Sequence, residues 1–262
     1  ELQQKNLQYL DENLDSWRMC QRAELMERMG ASKVEVIAWW EQHRNDDGAY
    51  HPLLRLYEEE NLLKAIELVR EKREWEKNTI WQITDYTKTL LRLLEKSEDW
   101  AEYEKELRYL VVKLKCQETE FVSQLKRITP VEQWPAVFEI LLADAKRPVD
   151  RMQLYHLEEK YNELSVELSR YPYIGTFQSY EQTLHHWNSE RTLKLYTEIL
   201  KIEMDRACDR KQYRYIVSHL CRLKVYPNGQ EGAKALAAYW YVNHKNRPAM
   251  KDELKKAGYP QI

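Results

Sequence analysis

Glycine is scarce in this chain, with 6 residues among 262, well below the ~7% usual in globular proteins. That scarcity disfavours hairpin-rich β folds and glycine-rich phosphate loops together. Long apolar runs are missing as well. The longest clean one, Ala235 to Val242, falls far short of the ~20 residues that span a bilayer. Charge of one sign is not in excess: the net charge is −2 and the isoelectric point about 6.5. No global field therefore draws in nucleic acid or an anionic membrane. The opening Glu1-Leu2-Gln3-Gln4-Lys5 lacks the basic and apolar regions of a signal peptide. It also lacks a methionine, so the expectation is a fragment or processed product.

Cysteine is sparse and dispersed. Cys20, Cys116, Cys208 and Cys221 form no CxC or CxxC pair, which predicts reduced, partly buried thiols in a cytoplasmic protein and no disulfide framework. The motifs of common chemistry are absent too. There is no GxSxG, HExxH, HxxxH or GxxxxGK[ST] sequence. No catalytic residue, cofactor or metal is predicted on that ground.

What is present is one amphipathic stripe after another. In Trp100, Tyr103, Leu107, Leu110 and Leu114 the spacing is 3-4-3-4, which places five side chains on one helix face. A first helix carries Leu7, Leu10, Leu14 and Trp17, with Gly30 where a helix-ending C′ residue belongs. Ser32 and Glu35 read as a capping box opening a helix over Val34, Ile37 and Trp40. Asn45-Asp46-Asp47-Gly48 reads as a turn. Residues 52–75 follow as one helix or two joined near Asn61, with Leu53, Leu56, Leu63, Ile66 and Val69 inward.

Asn78 is the expected cap of a helix with the stripe Trp81, Tyr86, Leu90 and Leu93/Leu94. Thr129-Pro130-Val131-Glu132 fits a cap, Pro at N1 and Glu at N3, although Pro135 argues for a start nearer Gln133. Asp150 is the expected cap of a segment running through Leu154, Leu157, Tyr161, Leu164 and Leu168. Further stripes run Phe177–Trp187, Leu193–Met204 and Tyr213–Leu223, and a last pair covers 230–244 and 248–257, with Pro248 at N1 and Gly258 past the end. No segment alternates with the period of two that marks a half-buried strand.

The expectation is an all-α chain of about a dozen helices in antiparallel pairs: an α-α superhelix of the tetratricopeptide-like class. It is a degenerate array over 1–262, with candidate breaks at 46–48 and 146–150, the latter separating two subarrays. A chain of 31.8 kDa buries roughly 70–75% of its unfolded surface, so a substantial core is available.

Four groups of residues are candidates for function. His185 and His186 are adjacent and point about 100° apart on a helix, so they cannot ligate one ion as an i, i+4 pair does. Glu58-Glu59-Glu60 reads as a solvated face with i, i+4 partners. Arg206, Arg210, Lys211, Tyr213, Arg214 and Tyr215 form a basic-aromatic stretch in which cations could neutralise phosphates while a tyrosine stacks on a base. Against that, the stretch also suits a helix with Tyr213 inward and its cations in solvent. Trp39, Trp40, Trp75 and Trp81 suit either core ridges or anchors for a bound peptide.

The last third carries one resemblance. Asp209-Arg210-Lys211-Gln212-Tyr213, then Leu220 and Leu223, then Asn246-Arg247-Pro248-Ala249-Met250-Lys251-Asp252-Glu253-Leu254-Lys255-Lys256-Ala257-Gly258 resemble the C-terminal end of bacterial SWIM zinc-finger proteins. About fifty residues are covered. The resemblance implies a helical region downstream of the finger. The finger's own CxC and CxH ligands are not in this chain, so no zinc ligand carries over. The leading expectation is a non-enzymatic scaffold that binds a protein partner. The alternative is a nucleic-acid-associated module using the 206–215 face.

Overall fold

A computed structural model describes residues 15–46, 48–75 and 78–260, and no strand occurs among them. Leu7, Leu10, Leu14 and Asp47 lie outside the described residues. Two compact units are formed, 1–130 and 131–262. The first holds α1 (Ser16–Arg28), α2 (Lys33–Gln42), α3 (Tyr50–Glu60), α4 (Leu62–Arg73), α5 (Ile80–Lys96), α6 (Trp100–Arg108), a π-turn over Tyr109–Lys113, and α7 (Thr119–Ile128). The second holds α8 (Trp134–Asp144), α9 (Pro148–Leu157), α10 (Tyr161–Arg170), α11 (Ile174–Trp187), α12 (Ser189–Arg206), α13 (Arg210–Leu223), α14 (Gly229–Asn243) and α15 (Pro248–Lys256). The 146–150 stretch lies inside the second unit: residues 145–147 connect α8 to α9, and 148–150 open α9.

Local signals set most helix ends. Ser32 and Glu35 form the reciprocal capping box, and Asn61 splits α3 from α4 by capping the latter through Lys64 N. Asn188 and Asp209 cap α12 and α13. Asn78 is corrected: Thr79 and Gln82 form the box of α5, while the Asn78 side chain donates to the carbonyls of Lys72 and Arg73 at the end of α4. Thr129 is the C-cap of α7, and α8 begins at Trp134 with Pro135 in its first turn. Asp150 is no cap either. It sits in the first turn of α9, its carboxylate bonded to Arg147 at 2.7 and 2.9 Å. The stripe expected to run from Leu154 to Leu168 is broken into α9 and α10 by Glu159.

Four helices end in the same reversal, a bond from the residue after a left-handed position back to the carbonyl five earlier. Gly30 (φ 88°) and Gly258 (φ 85°) occupy two of these positions, whereas Glu98 (φ 56°) and Glu159 (φ 53°) occupy the others. A side chain in that conformation costs roughly 1–2 kcal/mol, which glycine escapes at the expense of unfolded-state entropy. Glu98→Gly and Glu159→Gly, both at exposed sites, are therefore expected to stabilise the protein by about 0.5–1 kcal/mol each. Urea midpoints check this; unchanged or lowered midpoints would contradict it.

Several aromatic and aliphatic positions depart from their expected faces. Leu63, Trp81 and Trp100 are 69%, 73% and 58% exposed, at the starts of α4, α5 and α6, where no helix among the described residues covers them. The 3-4-3-4 stripe is also interrupted. After Leu107 the helix widens into the π-turn, so Leu110 and Val111 are buried while Leu114 is only partly so. In α2 the buried residues are Val36, Trp39 and Trp40, and Val34 faces solvent.

Within each unit most consecutive helices pack on one another, α14 and α15 excepted, and a second order of packing joins alternate helices. In the first unit Glu58 of α3 meets Arg92 and Lys96 of α5, and Arg70 and Arg73 of α4 meet Glu102 and Glu106 of α6. In the second unit α12 packs against both α10 and α14, while α13 packs against α15. The core there runs through Leu168, Phe177, Tyr196, Leu200, Leu220, Trp240 and Leu254, all fully or nearly fully buried. The rings of Phe177 and Tyr196 lie 4.5 Å apart, within the favourable range for aromatic pairs.

Candidate functional site

The basic-aromatic stretch is largely committed to its own fold. Arg206, at the end of α12, donates to the Pro172 carbonyl at 3.2 Å and lies over the Tyr173 ring. Arg210 sits 3.0 Å from Asp252, and Arg214 donates through Nε to Glu253 at 3.1 Å, so both tie α13 to α15. These carboxylates are held below their usual range, Asp252 chiefly by Lys256 and Glu253 chiefly by Arg214. Tyr213 is buried beneath Arg247. Lys211 is exposed with no ion pair among the described residues, and Tyr215 is half-exposed with its ring edge-on to His219. A phosphate backbone would thus have to displace internal carboxylates from two of the arginines.

The four tryptophans divide. Trp39 and Trp40 are buried, 7% and 2% exposed, with Arg22 over the Trp39 ring, so both present little surface to a partner. Trp75 is partly exposed beneath the Lys72 ammonium, 3.5 Å from the ring centre, and Trp81 is open to solvent. The structure does not bring Trp39 and Trp40 together with Trp75 and Trp81 on one exposed face.

His185 and His186 go to separate local partners. His185 shares a hydrogen bond with Ser189, and His186 one with the Gln182 carbonyl. Among the described residues no group of three His, Cys, Asp or Glu side chains is placed to hold a metal ion. Glu59 and Glu60 both reach Lys33 at 2.9 Å. The Arg92 guanidinium, with Lys96, holds the Glu58 carboxyl down at about 2. Their partners lie on other helices rather than at i+4. Cys208 and Cys221 are exposed rather than partly buried, and all four thiols are free.

Sequence reasoning missed a buried polar network between α11, α12 and α13. Glu181 accepts from Arg222 and from the Tyr226 hydroxyl, and the Tyr196 hydroxyl shares a hydrogen bond with Nδ1 of His219. All but Arg222 are buried. Both Glu181 oxygens and one His219 nitrogen are consumed within the protein, which is what a network that fixes helix register needs. Burial drives the His219 imidazole down to about 4, with Arg222 adding to the effect.

That shift sets a pH dependence. The unfolded chain protonates His219 near its ordinary 6.5, whereas the folded chain does so only near 4. Within that window the unfolded state binds the extra proton, so stability is complete above it and falls as pH drops through it, by ~1.4 kcal/mol per unit. His244, lowered for the same reason, acts in the same direction. Urea midpoints should decline with acidification across the window, and His219→Gln, which cannot titrate, should flatten the decline. An unaltered slope in that variant would contradict the assignment.

A second feature outside the expected sites is a cleft of about 560 Å³ along α14, α15 and the segment after it. Ala237, Ala238, Tyr241 and Val242 form an apolar floor, and Lys234, Lys245 and Lys251 border it. The sequence signal was the Ala235–Val242 run, the longest clean apolar stretch in the chain.

No protein-family model matches the chain, and no curated protein matches it in sequence. No helix among the described residues is long and apolar enough to cross a membrane.

Proposed function

We propose that this protein is a non-enzymatic helical-repeat scaffold of the tetratricopeptide-like class that binds a protein partner. The observation that carries the reading is the stacking of helix hairpins through alternate helices. Glu58–Arg92 and Arg73–Glu106 link consecutive hairpins in the first unit, and Glu181–Arg222 does so in the second. Such arrays grow by adding hairpins to a continuous core and present long surfaces for recognition. The candidate polar groups are spent on fold-internal bonds, which suits a scaffold better than a reaction centre. Four free thiols, two of them exposed, support a reducing, cytoplasmic setting. The resemblance of the 209–258 segment to SWIM zinc-finger proteins supports placing the scaffold downstream of a zinc-binding module. A CxC and CxH pair in the native sequence upstream of Glu1 tests that placement.

The test of the scaffold reading is the mass of the complex isolated from the native cells by light scattering. A stoichiometric protein partner above the 31.8 kDa of the chain is expected; a bare chain under gentle conditions would overturn it. The nucleic-acid reading rests on Lys211 and Tyr215 alone, one helical turn apart on the exposed side of α13. It requires steeply salt-dependent binding, and a mobility shift at low salt decides it.

A further inference from the structure

The cleft beside α14 occupies a particular place in the array. Helices α10, α12 and α14 form one row, each packed on the next, and α13 and α15 continue the other. The side of α14 that meets α12 is marked by Gly232, beside Leu193, and by Tyr239, whose ring lies under Lys201. At 100° per residue, Lys234, Ala238 and Tyr241 lie about half a turn round the helix from that side, and Lys245 follows just past the helix end. The cleft is therefore the position that the next helix of the row would fill, and no helix among the described residues fills it.

Its chemistry restricts what could sit there. The alanines allow close approach of another helix, and the Tyr241 ring and exposed Val242 supply apolar contact. Lys234, within α14, and Lys245, just past its end, border this floor. Lys251 lies on the opposite wall. Lys234 reaches Glu231 at 3.1 Å across an exposed surface, whereas Lys245 and Lys251 have no carboxylate partner among the described residues. The Tyr259 hydroxyl, on the same wall, is shielded from solvent and has no hydrogen-bond partner among them either. An apolar floor within a ring of ammonium groups complements an apolar stripe flanked by carboxylates.

We infer that this cleft docks an acidic amphipathic helix of a partner protein, supplied in trans as the next member of the α10–α12–α14 row. The inference rests on the scaffold reading and names the chemistry of the partner. The probe is a stapled helical peptide of about four turns, with a leucine stripe flanked by glutamates. A matched peptide carries lysine at every glutamate. Fluorescence anisotropy with the full chain should show binding of the acidic peptide, weakened by salt, and at least ~10-fold weaker binding of the basic one.

Carbodiimide coupling should join the peptide's carboxylates to Lys245 and Lys251. The double variant Lys245→Glu/Lys251→Glu should lose at least ~10-fold in affinity with an unchanged melting temperature, since both side chains lie outside the core. Ala238→Trp, at an exposed position, should block the floor to the same extent. Equal binding of the two peptides, coupling elsewhere, or indifference to these substitutions would overturn the inference. A native partner that the double variant retains would overturn it too and leave the scaffold reading standing. A native chain that carries no partner removes the scaffold reading itself, whatever the peptide does.

Discussion

Replacing Gly229 by alanine is expected to destabilise the second unit by about 3 kcal/mol or more, at the upper end of the cost of overpacking. A β-carbon there would overlap the Leu223 carbonyl oxygen and lie 2.6 Å from its carbon. Those atoms are backbone, at the end of α13, and cannot step aside as a side-chain tip could. The chain reverses tightly at this point. Tyr226 N bonds the Leu223 carbonyl, Gly229 N bonds the Tyr226 carbonyl, and Asn228 takes the left-handed conformation at φ 61°. Moving the backbone to admit a methyl group would pull α14 away from α13 and disturb the core at Trp240. Gly175 supplies the contrast, because nothing lies within 4 Å of a β-carbon built there. At that exposed site in the first turn of α11, alanine should be neutral or stabilising by up to ~0.5 kcal/mol. Urea unfolding of both variants, followed by circular dichroism, checks the pair. Equal effects would mean that the close approach to Leu223 is not what selects glycine.

The second large effect is expected in the first unit, at Arg73. Its guanidinium bonds both carboxylate oxygens of Glu106, and both side chains are largely removed from water. Arg73→Met should destabilise by about 3–5 kcal/mol, the cost of stranding a buried charge. Arg73→Lys should recover little, since an ammonium cannot reproduce the forked contact or the guanidinium's position over the Tyr109 ring. The double variant Arg73→Met/Glu106→Leu should regain most of the loss, because with both charges gone nothing buried is left unpaired. A double-mutant cycle by urea unfolding measures the coupling. A double variant as unstable as Arg73→Met alone would show that packing, and not the stranded charge, sets the effect.

The caps and stops of the helices were legible because their causes lie within a few residues of each other. Ser32 with Glu35, Asn61, Asn188, Pro248 and Gly258 act through bonds or torsions that the local sequence specifies completely. The exceptions are instructive. Asn78 has the chemistry of an N-cap but serves the carbonyls of the preceding helix, since Thr79 can form the full box with Gln82. Asp150 likewise has a cap's chemistry, yet Arg147 takes its carboxylate one turn earlier. In each case two local solutions compete, and the neighbouring residue settles the choice.

By itself, the sequence determined an all-helical chain and where most of its helices stop and start, because helix periodicity and capping are properties of adjacent turns. Only the tertiary structure decided which apolar faces are covered. Trp40 and Trp81 sit in similar amphipathic patterns, but a face becomes core only where another helix lies against it. The same holds for Arg210 and Arg214, basic in sequence yet paired with carboxylates some forty residues away, and for Glu181, joined to Arg222 and Tyr226 at a similar distance. The lysine-bordered cleft is the plainest case. Its lining comes from α14, α15 and the segments that follow each, and it forms a cleft because the row of helices that covers α14 on one side leaves it open on the other among the described residues.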